Sequence, residues 1–221
     1  MNPGPQHVTY LFGIESLPIT DTLIVSWIIV ILLIVFAKLA TMNLKLIPGK
    51  LQSALEILVE AIHGQIEPML PGEGWKYFPL IATMFIYVGV SNLISLVPIP
   101  GNASPTSDLN MTAALALIIF FISNIGAIKR AGLWNYLKGF AEPMPFLLPI
   151  NIIGELAKPI SHSFRLFGNV IGGGIIMALL YSAAPWLVPL PFHFWFDIFV
   201  GLIQTLIFGT IGVAYIAVAK D

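Results

Sequence analysis

Apolar and polar positions fall in long blocks along this chain, and the blocks set the elements. Residues 1–20 are polar and carry Pro3, Pro5 and Pro18, which predicts a tail outside any bilayer. Residues 22–40 are apolar up to Lys38, long enough for one helical span. A short basic link with Pro48 and Gly49 follows. Residues 50–67 read differently: Leu51, Leu55, Leu58, Ile62 and Ile66 recur at helical spacing, with Gln52, Ser53, Glu56, Glu60 and His63 between them. That is an amphipathic helix lying along the membrane surface or against a partner, or docked on the rest of this chain. Residues 75–96 span again and open on an interfacial Trp75–Lys76–Tyr77 belt. A Pro/Gly/Ser-rich turn leads to a third span, 109–129, and a second surface segment leads to a fourth, 148–183. The proline-rich turn APWLVPLP precedes the last, 190–219. The expectation is an all-α integral membrane protein, one membrane domain over 1–221, with five transmembrane helices and one amphipathic surface helix.

Composition agrees. The 221 residues are 57% hydrophobic and 10% charged, with mean hydropathy +0.92, whereas soluble domains carry about 25% charged residues. Cysteine is absent, so no thiolate metal site or disulfide is available. The net charge of −1 gives no case for nucleic acid. The first residues lack the basic region of a signal peptide, so the first apolar run is expected to stay. Lys38, Lys45, Lys50, Lys76, Lys129, Arg130, Lys138 and Lys220 all fall on one side of the expected topology, and the other side has no Lys or Arg. This puts the N-terminus outside and the C-terminus in the cytoplasm.

The fourth span is too long to stand upright. Its thirty-odd residues reach about 50 Å at 1.5 Å each, against a hydrocarbon core of about 30 Å. Strong tilt answers this, with Pro159 kinking or breaking the helix. The last two spans are therefore expected to form a long, strongly tilted hairpin. A long tilted helix suits a curved neighbour.

The same stretch carries the chemistry. Glu155, Lys158, His162, Arg165 and Asn169 are spaced three, four, three and four, which a helix places on one stripe. An arginine at the bilayer centre costs roughly 2.5–3.5 kcal/mol on insertion scales. On the last span His193, Asp197, Gly201, Gln204, Phe208 and Tyr215 share a face. Two such helices can pack stripe to stripe, with Gln204 bonding near Arg165. Each residue also has a plain reading: Glu155–Lys158 as an ion pair, His162 as a bonded filler, His193 as a solvated side chain, Asn169 and Gln204 as helix–helix glue, and Gly172–Gly174 as a packing face. Arg165 has no plain role at mid-span unless it is paired.

The segment KPISHSFRLFGN, Lys158–Asn169, resembles the signature of subunit a of bacterial F-type ATP synthases. The likeness extends to Gln204 in LIQTLIF and to the order of segments. It implies an ion-translocating stator subunit, non-catalytic by itself, whose two half-channels load and unload the carboxylates of a c-ring. It implies Arg165 as the essential fixed charge between them, and Glu155, Asn169, Asp197 and Gln204 along the ion path, where the polar stripes add Lys158, His162 and His193 as candidates. The implied partners are the c-ring, against 148–183 and 190–219, the peripheral-stalk b subunits and the lipid membrane. Neither nucleic acid nor a directly bound nucleotide is implied, and no cofactor. H+ is the implied coupling ion, with Na+ at the rotor–stator contact the alternative. The implied location is the bacterial plasma membrane, ahead of an organelle's energy-coupling membrane. One position departs: where many members carry an acid nine residues after the arginine, this chain has Gly174.

A secondary transporter or channel is the rival reading. Such proteins show internal repeats and midplane helix breaks in both halves, and the first half here has no counterpart of the charged stripe. A self-contained enzyme finds no nucleotide loop, metal-ligand cluster or nucleophile–base pair in the sequence.

Overall fold

A computed structural model of the chain describes residues 7–10, 18–94, 104–142, 144–183 and 189–219. Eight α-helices make up most of it: α1 (Asp21–Thr41), α2 (Lys50–Ile66), α3 (Gly74–Leu93), α4 (Leu109–Ala131), α5 (Leu133–Gly139), α6 (Leu148–Ala183), α7 (Pro189–His193) and α8 (Gly201–Val218). A π-helical segment, Phe194–Val200, joins α7 to α8 in one rod. Helices dominate, as the all-α expectation has it, with one short strand pair in the tail. There β1 (His7–Tyr10) pairs antiparallel with β2 (Pro18–Thr20), in sequence rich in Val, Thr, Tyr and Ile, which favour strands.

Local chemistry sets the helix ends. The Thr20 hydroxyl accepts from the Leu23 amide and starts α1. Asp108 does the same for Asn110 at 2.9 Å and starts α4. Gly132, at φ 80°, ends α4 and turns the chain into α5. Pro159 does not break α6, which runs as one helix of 36 residues. Its ring is buried against neighbouring elements, and packing of this kind overrides the roughly 3 kcal/mol helix penalty.

Among the described residues, four stretches are long and apolar enough to cross a membrane: Asp21–Thr41, Leu109–Ala131, Pro145–Ala183 and Pro191–Val218. α3 falls outside that group, because Trp75, Lys76 and Tyr77 open it and Ser91 and Asn92 close it. It is nevertheless the bundle's centre. Ile81, Ala82 and Phe85 pack with Ile62 and Ile66 of α2 and with Val213 and Ile216 of α8. Met84, Tyr87 and Val88 pack with Ile29, Ile119, Leu166 and Phe208. α2 is thus docked on the chain by its C-terminal half, while Leu51, Ile57 and Leu58 remain exposed.

α8 crosses α3 and α4 at two glycines. A Cβ at Gly209 would overlap the Phe85 ring, and one at Gly212 would lie 2.8 Å from Ile119 Cδ1. α1 buries Thr22, Ser26 and Ile29 against the bundle, with Val25 and Leu33 packed beside them. α6 packs mainly on α4 and less on α8, and only 11% of its most apolar window is buried.

Candidate functional site

α6 carries five of the residues singled out by spacing, and the structure divides them between two faces. Its inward side is Pro159, His162, Ser163, Leu166, Gly173 and Met177. Arg165 is three residues from His162, which turns it ~60° away at 100° per residue. The burial boundary therefore runs down the middle of the stripe: His162 points into the bundle, while Arg165 and Asn169 face out.

The charged pair at the start of the stripe is closed. Lys158 Nζ donates to Glu155 Oε2 at 2.6 Å, and the ammonium also lies 5.7 Å from the Tyr215 ring centre. Tyr136 of α5 joins this end. Burial, and then the Glu155 carboxylate, push its phenol above its ordinary value. Its hydroxyl donates to Asn124 Oδ1, and Asn151 Nδ2 donates to the Phe140 carbonyl at 2.9 Å, stitching α5 to α6.

His162 is 2% exposed, 4.0 Å from the Phe208 ring and 5.7 Å from the Tyr215 ring. Both its ring nitrogens are without a hydrogen-bond partner among the described residues. Arg165 is exposed and makes no hydrogen bond or ion pair among the described residues. One turn on, Asn169 Nδ2 donates to Gln204 Oε1 at 2.6 Å. Gln204 therefore bonds to Asn169 rather than to the arginine, and its own amide nitrogen is buried without a partner among the described residues.

The glycines complete the outward face. A Cβ at Gly168, Gly172 or Gly174 would meet nothing within 4 Å, whereas one at Gly173 would rest 3.6 Å from Phe196. Gly168 and Gly172 thus lie on the Arg165 side of α6 with no described residue over them, Gly174 lies half a turn round the helix from Arg165, and Gly173 packs inside the chain.

Near the C-terminal end of α6, His193 Nδ1 and Asp197 Oδ2 are 2.5 Å apart. Asp197 lies on the π-helical segment, a distortion common at functional sites. His193 Nε2 bonds the Tyr181 hydroxyl of α6 at 2.7 Å. His193 is therefore partnered on both nitrogens rather than merely solvated.

Spacing arguments built on ionisable residues missed Tyr181, Tyr136 and a buried network of hydroxyls and amides. In that network Thr106 Oγ1 donates to Asn92 Oδ1 at 2.8 Å, and Asn92 Nδ2 donates to the Gly201 carbonyl at 3.1 Å and to Thr205 Oγ1 at 3.2 Å. Ser104 Oγ donates to the Ser91 carbonyl at 2.6 Å. Nearby, Thr22 Oγ1 donates to Asp108 Oδ2 at 2.9 Å. The available signal was the density of Ser, Thr and Asn in 91–112, which reads as a turn until the partners are known.

Residues 23–217 match the family of the ATP synthase A chain. The chain is 36% identical over 229 residues to "ATP synthase subunit a, sodium ion specific" of Propionigenium modestum, covering 98% of this chain and 79% of that one. It is 39% identical over 207 residues to ATP synthase subunit a of Moorella thermoacetica, covering 94% of each. Against ATP synthase subunit a of Geobacter sulfurreducens it is 39% identical over 200 residues, covering 89% of this chain and 86% of that one.

Proposed function

The chain belongs to the ATP synthase subunit a family, and we propose that it carries ions past its rotor on the outward face of α6, with Arg165 as the fixed charge. It is the ion-translocating, non-catalytic stator subunit of the membrane sector. The observation that carries the site reading is an exposed Arg165, unpaired among the described residues, on an apolar helix with the open Gly168 and Gly172 on its side. Such a face is complete only against a partner. A c-ring fits it: glycines admit a close approach, and a rotor carboxylate supplies the missing counter-charge.

The electrostatics give the arginine two tasks. At about 4 Å and an effective dielectric near 20, a carboxylate and the guanidinium attract by about 4 kcal/mol. A rotor carboxylate therefore discharges its ion as it nears Arg165 and reloads after leaving. The guanidinium stays charged at working pH, so it also repels ions crossing between the two access paths. The membrane potential, about 2.3 kcal/mol per charge per 100 mV, sets the direction. Glu155 and Lys158 serve the inner path, and His193 and Asp197 the outer one, with Asp197 standing in for the acid absent at Gly174. Asn169 and Gln204 line the contact beside Arg165, and His162 backs it from inside.

The proposed placement is five spans in a bacterial plasma membrane, α3 among them, with α6 and the last rod tilted as a hairpin. The exposed side of α1 faces lipid or the b subunits. The deciding experiment is ATP synthesis in membranes under an imposed ion gradient, with passive leak in parallel. Arg165→Ala is expected to abolish synthesis while leak persists or rises; near-normal synthesis ends this reading. Because the chain has no cysteine, single cysteines at the exposed Asn110 and Asn135 report topology, and labelling from the same side contradicts the placement.

A further inference from the structure

Tyr181 closes a three-member chain at the outer end of the hairpin. Its hydroxyl is 2.7 Å from His193 Nε2, and His193 Nδ1 is 2.5 Å from Asp197 Oδ2. The three groups come from two elements, α6 and the rod that begins with α7, so the chain also ties the hairpin's arms together. The tyrosine and histidine rings lie 5.7 Å apart. His193 and Asp197 are roughly one-third and one-fifth exposed. Outside water thus reaches the first members more readily than the last.

We propose that Tyr181, His193 and Asp197 form a proton relay that loads the outer access path, with Tyr181 as its outermost member, whose hydroxyl also fixes the histidine tautomer. This rests on the functional reading above and adds to it the class of ion taken up at this mouth. The logic is that of hydrogen-bond matching. A carboxylate at Nδ1 requires that nitrogen to carry the proton. Nε2 is then the bare nitrogen, and a phenol O–H is the donor that suits it. The bond at one ring nitrogen sets the state of the other.

The transfer balances. A proton from outside water binds the Tyr181 oxygen as the phenol's own proton moves to Nε2. The Nδ1 proton passes to Asp197, which becomes neutral, and the tyrosine ends as it began. Asp197 hands its proton inward, and the imidazole turns over to reset. Among the described residues of the elements packed on the π-helical segment, α3 ends there in the neutral Ser91 and Asn92, α7 brings His193 itself, α8 carries no charged residue and has Tyr215 at its far end, and the charged Glu155, Lys158 and Arg165 of α6 lie at least four helical turns before Tyr181.

The test is Tyr181→Phe, which keeps the ring and removes only the hydroxyl. The readout is ATP synthesis by the whole complex as a function of outer pH at constant membrane potential. The expected result is a two- to tenfold lower rate, the worth of about one hydrogen bond, with the outer-pH optimum displaced. In a His193→Gln background, Tyr181→Phe is expected to add nothing. An unchanged pH profile overturns the proposal, as does an equal loss in the His193→Gln background. Synthesis driven by Na+ and indifferent to outer pH overturns it too. Arg165→Ala measured alongside separates the two readings: its near-normal synthesis would refute the rotor contact, whereas its failure with an unaltered Tyr181→Phe refutes only the relay.

Discussion

α3 and α6 are helices of one bundle built to opposite rules. α3 buries Ile81, Ala82, Met84, Phe85, Tyr87 and Val88, and its terminal Asn92 is bonded to Gly201, Thr205 and Thr106. α6 is longer, leaves most of its apolar surface uncovered, and carries an arginine with no partner among the described residues. A polar group bonded within its own chain contributes to that chain's stability. One held out on an apolar face, at a cost of roughly 2.5–3.5 kcal/mol for arginine at the bilayer centre, is explained by something that comes to meet it. The contrast is the ground for the proposal that α3 is architecture and that the outward side of α6 does the work.

The largest effect that tests this contrast belongs to Arg165. If α6 is the working helix, Arg165→Ala leaves the subunit assembled, because Arg165 makes no bond among the described residues. ATP synthesis, by contrast, falls by about a thousandfold, the equivalent of about 4 kcal/mol of charge attraction. Arg165→Lys is also expected to fail, since an ammonium lacks the planar fork and loses its proton more readily when buried. Assembly measured by copurification with the c-ring, beside synthesis in membranes, separates the two properties. An Arg165→Ala subunit that fails to assemble would move the arginine into the architecture.

The reverse behaviour is expected at the crossing of α3 and α8. Gly209→Val drives side-chain atoms into Phe85, and overpacking of this kind costs about 1–3 kcal/mol or more. The expected outcome is less assembled subunit, with near-normal synthesis per assembled complex. Phe85→Leu in the same chain makes room and is expected to restore part of the yield. Full yield from Gly209→Val alone would show that α3 and α8 do not meet as tightly as the structure has them.

The parts of this division that were legible in the sequence are those that depend on one helix at a time. Long apolar blocks, the amphipathic pattern of α2 and the arginine in an apolar run follow from period and composition. What depends on two helices was not legible. The stripe on α6 is real in spacing, yet its split between His162 inside and Arg165 outside follows from how α4 and α8 cover the helix. The bond from Gln204 to Asn169, the link from Tyr181 to His193 and the network around Asn92 join residues far apart in sequence. No periodicity predicts such pairs. The strand pairing in the tail was missed because prolines and polar residues there read as an irregular segment.

An intermediate effect is expected at the contact of Asn169 with Gln204, which lies between the two regimes. Asn169 is exposed beside Arg165, while Gln204 is 3% exposed. Gln204→Ala removes a buried group that already has one unpaired nitrogen, so the stability cost is modest, on the order of 1 kcal/mol. Asn169→Ala leaves the buried Gln204 carbonyl without its donor. A double-mutant cycle on synthesis is expected to show coupling of about 0.5–1.5 kcal/mol. Strict additivity would mean that the 2.6 Å bond does not hold the two helices in their working register.

The smallest expected effect comes from the hydroxyl pair between the two classes of helix. Thr112 of α4 and Ser163 of α6 lie 3.1 Å apart and are buried, two residues before Arg165. Thr112 Oγ1 also reaches the Leu109 carbonyl at 3.1 Å, so it keeps a partner when Ser163 is lost. Ser163→Ala is therefore expected to cost about 0.5–1 kcal/mol. Thr112→Val with Ser163→Ala removes both polar groups together and is expected to lie close to the wild type, because replacing both partners by apolar groups of similar shape is nearly neutral. Yield of the assembled complex checks the stability side, and synthesis per complex checks the functional one. If the double variant assembles well and still loses synthesis, the pair belongs to the ion path despite its burial. The line between α4 as support and α6 as working surface would then have to be drawn one helix further in.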